Sequence, residues 1–358
     1  MKRFFILSLL ALLVAAGANA KEKKYALYGI GFYNLENLFD TCHDEGKNDY
    51  EYLPDGRNKW TGLKYSHKLR NMARVLSEMG TDKLPMGCAA IGVSEVENAK
   101  CLTDLCNQEP LKQRGFRFVH IEGPDSRGVD CALLYNPRLF TVRNVKLVPY
   151  IYIKEEDSNR ATRGFLTVSG TLAGEHVTII VNHLPSRFAG SFYREEGGRQ
   201  LHVLKDSLLK DDPDVKLLIM GDMNDDPQDA SMAVALGARR KIADVEDDGL
   251  WNPWWDVLAS GRGTLQYDGK WNLFDQIILS RSLLDRKRMQ KTLDFKPGDI
   301  HCDKLKYYRH QVFNRDYLFQ KDGKYKGNTL RTHAGGAWLN GYSDHLPTVV
   351  YLIKEQKK

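Results

Sequence analysis

The chain has 358 residues, 42% of them hydrophobic, and its 52 Lys and Arg against 46 Asp and Glu give a formal net charge of +6. That composition supplies enough apolar side chain for a sizeable core and excludes a disordered polyelectrolyte, while the mild excess of base is compatible with a polyanionic substrate without requiring one. No Cys/His spacing resembles a zinc site, and cysteines at 42, 88, 101, 106, 131 and 302 leave disulfides open without fixing a pairing.

Lys2 and Arg3 precede an apolar run from Phe4 to Ala16, and Ala18-Asn19-Ala20 offers small residues for cleavage. Residues 1–20 therefore read as a secretory signal peptide. No cysteine follows the cut as a lipid attachment point, and no later run reaches the ~20 apolar residues a membrane span needs. The expected product is exported near Ala20 to periplasm or medium, with no membrane anchor and no obligate protein partner evident. Removing the leader leaves 338 residues (358 − 20) and a net charge of +4 (50 basic against 46 acidic). With no Pro/Gly/Ser linker and no solenoid repeat, residues 21–358 are expected to form one domain.

Tyr25 to Tyr33 alternates as a strand, with Ile30, Phe32, Asn34 and Glu36 on one face. Asp40 to Trp60 is turn-rich and could border a cleft. Leu69, Met72, Ala73, Leu76 and Met79 repeat at helical spacing until Gly80 ends the helix. Cys88 to Val96 reads as a short buried strand, followed by a helix over 99–109. Strands are predicted at 116–121, 131–136, 140–152, 164–171 and 176–183, then a long helix from about Tyr193 to Lys210. Next comes a buried strand ending in Gly221-Asp222-Met223-Asn224, whose Leu218 and Met220 point toward a core and whose Asp222 and Asn224 continue that face. A helix at 229–236, a packing cluster of Trp251, Trp254 and Trp255, and strands at 273–280 and 347–353 complete the order. Ser282 to Gly341, rich in Lys, Arg and Tyr, reads as a surface excursion, with substrate contact as the alternative. Strands grouped in halves with helices outside imply an α/β (α+β) four-layer sandwich, two packed mixed sheets flanked by helices.

Five of these strands end in polar clusters: Asn34-Leu35-Glu36-Asn37, Ser94-Glu95-Val96-Glu97, Asn182-His183-Leu184-Pro185-Ser186-Arg187, Gly221-Asp222-Met223-Asn224 and Ser343-Asp344-His345. In this order, over nearly the whole mature chain, they resemble the endonuclease/exonuclease/phosphatase superfamily, and the chain is similar to its exported, nuclease-like members. Hydrolysing a phosphoester takes a cation on the phosphoryl oxygens, a positioned water and help for the leaving oxygen. Carboxylate-rich, cysteine-free clusters suit hard cations, so Mg²⁺ is the expected cofactor and Mn²⁺ a substitute.

The resemblance implies roles residue by residue. Glu95 is the first metal ligand, Asn34 binds metal or phosphate, and Asp344 is a metal-side ligand. Asp222 activates water or holds a metal on the leaving-group side, and Asn224 contacts phosphate. His183 contacts phosphate or donates a proton, and His345 is general base or phosphate ligand, oriented by Asp275. Glu36 and Asn37 read as local turn groups. In Arg127-Gly128-Val129-Asp130, Arg127 would clamp a phosphate and Asp130 pair with His183, with Arg163 and Arg187 as further phosphate contacts. The expected activity is a secreted Mg²⁺-dependent phosphodiesterase, an endonuclease on DNA or RNA. A phosphatase or phospholipase-like hydrolase for inositol phosphates or sphingomyelin is the alternative, and a non-catalytic nucleic-acid-binding module a third reading. Extended DNA contacts are expected from the basic runs Arg281 to Lys291 and Lys304 to Arg309.

Overall fold

A computed structural model describes residues 23–356, so the leader reading lies outside the described residues. The first sheet is built from β1 (Lys24–Leu38), β2 (Cys88–Val96), β3 (Arg117–His120), β4 (Asp130–Tyr135), β14 (Lys306–Val312) and β17 (Thr348–Gln356), in the spatial order β14-β17-β1-β2-β4-β3. The second takes β5 (Phe140–Val148), β6 (Phe165–Leu172), β7 (Glu175–His183), β8 (Lys216–Asp222), β9 (Ala238–Arg239), β10 (Leu250–Trp251) and β13 (Asp275–Ser280), in the order β5-β6-β7-β8-β13-β10-β9. Both are mixed: β1 runs parallel to β2 and β7 parallel to β8, within otherwise mainly antiparallel neighbours. Hairpins β11–β12 (Leu265–Tyr267, Lys270–Asn272) and β15–β16 (His333–Ala334, Ala337–Trp338) lie outside the two sheets.

Strand alternation assigns the layers. Leu218 and Met220 of β8 join Val181, Phe32 and Leu133 in the core between the sheets, whereas Leu217 and Ile219 face the opposite way, onto Leu201 and Leu209 of a long helix, α4 (Ser191–Asp211). On the far side of the first sheet, Ile91 and Val93 pack on Leu69, Met72 and Leu76 of α1 (Gly62–Glu78) and on Leu102 and Leu105 of α2 (Ala99–Cys106). The result is four layers, helix on sheet on sheet on helix, as the grouping of strands implied. Gly92 allows the sheets to close, because a Cβ there would collide with Met220 Sδ.

Several boundaries differ from the periodicity, each for a local reason. The helix expected over 99–109 stops at Cys106, and α3 (Glu109–Lys112) starts afresh with Pro110, which has no N–H to continue the first. β5 ends at Val148 rather than 152, because Pro149 cannot donate to the ladder. The helix at 229–236 is a single wide turn, Ser231–Ala235, closed by Leu236 N–H to the Ser231 carbonyl at 3.0 Å. Trp251 and Trp254 are buried as packing groups. All six cysteines are free thiols, four of them buried.

Register also relocates the basic runs. Asp275 pairs with Asp222 while Leu279 pairs with Leu218, so Arg281 leaves β13 at the far end of the sandwich, roughly 20 Å of strand from Asp222. Lys306 pairs with Ile353 whereas Val312 pairs with Thr348, which places the start of β14 at that far end too. The expectation of substrate contacts there is corrected: Arg309 Nη1 donates to the Leu293 carbonyl at 2.7 Å, and Lys304 Nζ to Asp214 at 3.3 Å. Replacing Arg286, Lys287 and Arg288 together by Ala is expected to change cleavage of DNA and of an aryl phosphodiester by less than about twofold, since charges well beyond a ~10 Å Debye length are screened. Parallel rate measurements on the two substrates check it.

Candidate active site

Sheet register carries three functional groups to one rung. His183 at the end of β7 pairs with Asp222 at the end of β8, which pairs with Asp275 at the start of β13. Close approach is permitted by Gly221, where a Cβ would run into the Asn182 carbonyl. From the other sheet come Asn34 on β1, Glu95 on β2 and the Ser343–His345 turn that leads into β17.

Asp222 is central. Its Oδ2 accepts from Asn34 Nδ2 at 3.0 Å and lies 3.6 Å from His183 Nε2 and 3.7 Å from His345 Nε2. Its Oδ1 accepts from the Asn224 N–H at 2.9 Å, fixing the left-handed Asn224 (φ 51°) whose side chain donates to the Leu184 carbonyl at 3.0 Å. His345 Nδ1 is 2.7 Å from Asp275 Oδ2, so the buried carboxylate orients the ring and leaves Nε2 toward Asp222. Burial pushes Asp222 up, against the pull of the His345 imidazolium. Burial disfavours that imidazolium, yet Asp275 and Asp222 together hold His345 well above the usual histidine range. His183 moves the other way: burial, then the charges of Arg163, Arg127 and His345, lower it well below 6.5. The two imidazoles that face the same carboxylate are thus pushed in opposite directions.

Glu95 reaches the site through a bulge. The β2–β4 register shifts between Ser94 and Val96, and Glu95 adopts φ 60°. A left-handed glutamate costs ~1–3 kcal/mol and marks a site where aim outweighs ease of folding. Its Oε2 accepts the Asn37 N–H at 3.0 Å, while Oε1 lies 3.9 Å from His183 Nε2. Asp344 is held similarly, with Oδ2 accepting from Arg331 Nη2 at 2.9 Å and Oδ1 3.9 Å from His345 Nε2. Among the described residues, neither Glu95 Oε1 nor Asp344 Oδ1 accepts a hydrogen bond, and both side chains line an open cleft of about 840 Å³. Hard oxygen donors with spare lone pairs, in a cleft with no thiol among its described lining residues and with carboxylates crowded behind, fit a divalent cation. Bound there, such an ion would neutralise phosphoryl charge. Two trios of potential ligands also lie close together among the described residues, Asp222, Asp275 and His345 within the site, and Asp40, Glu97 and Cys101 apart from the cleft lining, with Glu97 Oε2 already accepting from the Asp40 N–H at 2.7 Å.

The cleft is lined by His183, Asp222, Asn224, His345, Arg127 and Arg163 as well. Asn34 and Asp275, both 0% exposed, lie beneath it. Arg163 is buried against Asp125, Nη1 to Oδ2 at 2.9 Å, and this pair with the Arg127 N–H to Asp125 Oδ1 bond (2.9 Å) pins the loop that presents the half-exposed Arg127. Removing Asp125 as Ala would strand a buried guanidinium, so a loss of about 3 kcal/mol in unfolding free energy is expected from urea titration. Two assignments are corrected. Asp130 does not pair with His183; its Oδ2 lies 2.9 Å from His120 Nε2 and its Oδ1 accepts the Gly123 N–H. Arg187 is spent on Asp226, Asp229 and the Asn224 carbonyl, at 3.1 to 3.2 Å, outside the cleft lining.

The turn reading of Glu36 also changes. It is a buried carboxylate that accepts from Arg331 Nε at 2.8 Å and the Thr332 N–H at 2.7 Å, with Lys68 Nζ 4.0 Å away. Arg331 thus ties Glu36 to Asp344. Arg331 belongs to the long 282–341 excursion, so that segment supports the site, a role its charge content alone did not distinguish from surface.

A sequence profile of the Endonuclease/Exonuclease/phosphatase family matches residues 29–354. The chain belongs to that family. Its members are metal-dependent phosphoesterases, and this chain carries candidate acidic metal sites. No curated protein shows significant sequence similarity. Among solved structures, an endonuclease/exonuclease/phosphatase family protein of Bacteroides thetaiotaomicron is 15% identical with a TM-score of 0.53, covering 93% of this chain and 100% of its own. A mannosyl-6-phosphatase of the same organism is 14% identical with a TM-score of 0.53, covering 91% and 99%. Humanized D. rerio TDP2 is 14% identical with a TM-score of 0.51, covering 91% and 98%. At these identities the likeness concerns the fold.

Proposed function

We propose that this family member is a Mg²⁺-dependent phosphodiesterase that hydrolyses nucleic acid outside the cytoplasm, with Mn²⁺ as a working substitute. The observation carrying the reading is the cleft itself: it continues past the His183–Asp222–His345 cluster along Arg127, Arg160 and Tyr152, leaving room for a group beyond the phosphate. Glu95 and Asp344 would hold the cation, which supplies charge neutralisation at the phosphoryl oxygens. Asp222, raised by burial and set between two imidazoles, is suited to take a proton from water. Neutral His183 can donate Nε2–H to a phosphoryl oxygen, and Asn224 and Arg127 add contacts to it. His345, protonated and oriented by Asp275, opposes the negative charge that grows in the transition state. Export rests on the leader sequence.

One observation favours a small phosphoester instead: the basic runs lie at the far end of the sandwich and cannot track a long polyanion. The test offers purified protein plasmid DNA, RNA, inositol phosphates and sphingomyelin, each with Mg²⁺ and with EDTA. Cleavage of DNA or RNA that EDTA stops is the expected result. Untouched nucleic acid beside rapid hydrolysis of a small ester replaces this reading with the second.

A further inference from the structure

We infer that the part of the cleft lined by Tyr152 and Arg160, together with Phe188 on the adjoining turn, is a stacking subsite for unpaired nucleobases beside the scissile phosphate, an inference that rests on the phosphodiesterase reading above. Tyr152 and Arg160 line the same cleft as His183 and His345. The Arg160 guanidinium lies 4.9 Å from the ring centroid of Tyr152 and 4.9 Å from that of Tyr193. Asp157 pins this arrangement, accepting from Arg160 Nη1 at 2.9 Å and from the Tyr193 hydroxyl at 2.5 Å. The Arg160 guanidinium plane, backed by the two rings, is therefore in place before a ligand arrives, which limits the entropy lost on binding.

Phe188 is the most exposed large apolar side chain among the described residues, at 101%. It sits on the turn Arg187–Ala189, and its neighbours Ser186 and Ala189 line the cleft. The turn is braced by the Arg187 contacts to Asp226 and Asp229 and by that guanidinium over the Phe274 ring at 4.5 Å. Arg194 Nη1 adds bonds to the Ser186 and Gly190 carbonyls at 3.0 and 3.1 Å. A ring held in water on a fixed turn has nothing within the fold to pack on. Every nucleobase offers it a π face, and Arg160 offers a cation to a flanking phosphate. In a duplex the base faces are already covered, so this subsite selects single strands.

The test measures kcat and KM of wild type, Phe188→Ala and Phe188→Trp on a short single-stranded oligonucleotide, its duplex and an aryl phosphodiester. Wild type is expected to favour the single strand over the duplex, and Phe188→Ala to raise KM for the single strand about tenfold beyond any change on the aryl ester. Phe188→Trp should retain the wild-type KM. Equal rates on single strand and duplex, or a Phe188→Ala KM unchanged on the single strand, overturn the inference. Exposed Ile151 and Ile153 adjoin Tyr152, so sedimentation with phosphatidylglycerol vesicles is run alongside; vesicle binding lost in Phe188→Ala with KM unaltered assigns the rim to lipid and overturns the inference as well. Hydrolysis of the aryl ester without cleavage of any nucleic acid overturns the underlying reading, and this inference with it.

Discussion

Glu95→Gln is expected to remove tight divalent-cation binding at the cleft and to lower kcat/KM by about 10³-fold, equivalent to ~4 kcal/mol of transition-state stabilisation. The substitution keeps shape, and the amide oxygen can still accept the Asn37 N–H that fixes the bulge. What disappears is the charge on Oε1, one of two cleft carboxylate oxygens that no described group donates to. Calorimetric titration with Mn²⁺ separates loss of the ion from loss of structure, because thermal melting of the metal-free protein should be nearly unchanged. Affinity equal to wild type would remove Glu95 from the ligand set.

His345→Ala is expected to lower turnover by about 10³-fold, within the range such groups contribute. The effect on the fold should be larger than for a surface histidine. His345 is the cationic partner of two buried carboxylates, 2.7 Å from Asp275 and 3.7 Å from Asp222, and its removal leaves Asp275 at 0% exposure without its donor. Melting temperature should therefore fall as well. Assays belong well below the variant's melting point, with circular dichroism confirming the folded state. Asp275→Asn keeps the imidazole but exchanges the partner that orients it, so its loss should be smaller than that of His345→Ala. Wild-type turnover in His345→Ala at the same metal concentration would assign this histidine no part in the reaction.

The fold was legible because each β-strand states its own faces. Leu218 and Met220 against Leu217 and Ile219 encode a strand buried on both sides, and the polar residues that follow them mark where it leaves the core. Register then converts three separate motifs into one rung of His183, Asp222 and Asp275. What escaped were relations between distant segments. Glu36 and Arg331 are 295 positions apart, and neither reveals the other; only the long excursion folding back over β1 makes them a pair that carries Asp344. Asp130 illustrates the converse error, since its position near His183 in the motif order is overridden by β3, whose His120 pairs with Ala132 and places its ring 2.9 Å from the Asp130 carboxylate. The basic runs were misplaced because charge content says nothing about which end of an antiparallel strand it occupies.

The proposed cation site is formed by Glu95 and Asp344, beside Asp222 and its two imidazoles. Anomalous diffraction from crystals soaked in Mn²⁺ tests it most directly. A peak is expected within coordination distance of Glu95 and Asp344, and none there in Glu95→Gln crystals. A peak confined to the Asp40, Glu97 and Cys101 cluster, or no peak at saturating Mn²⁺, would contradict it.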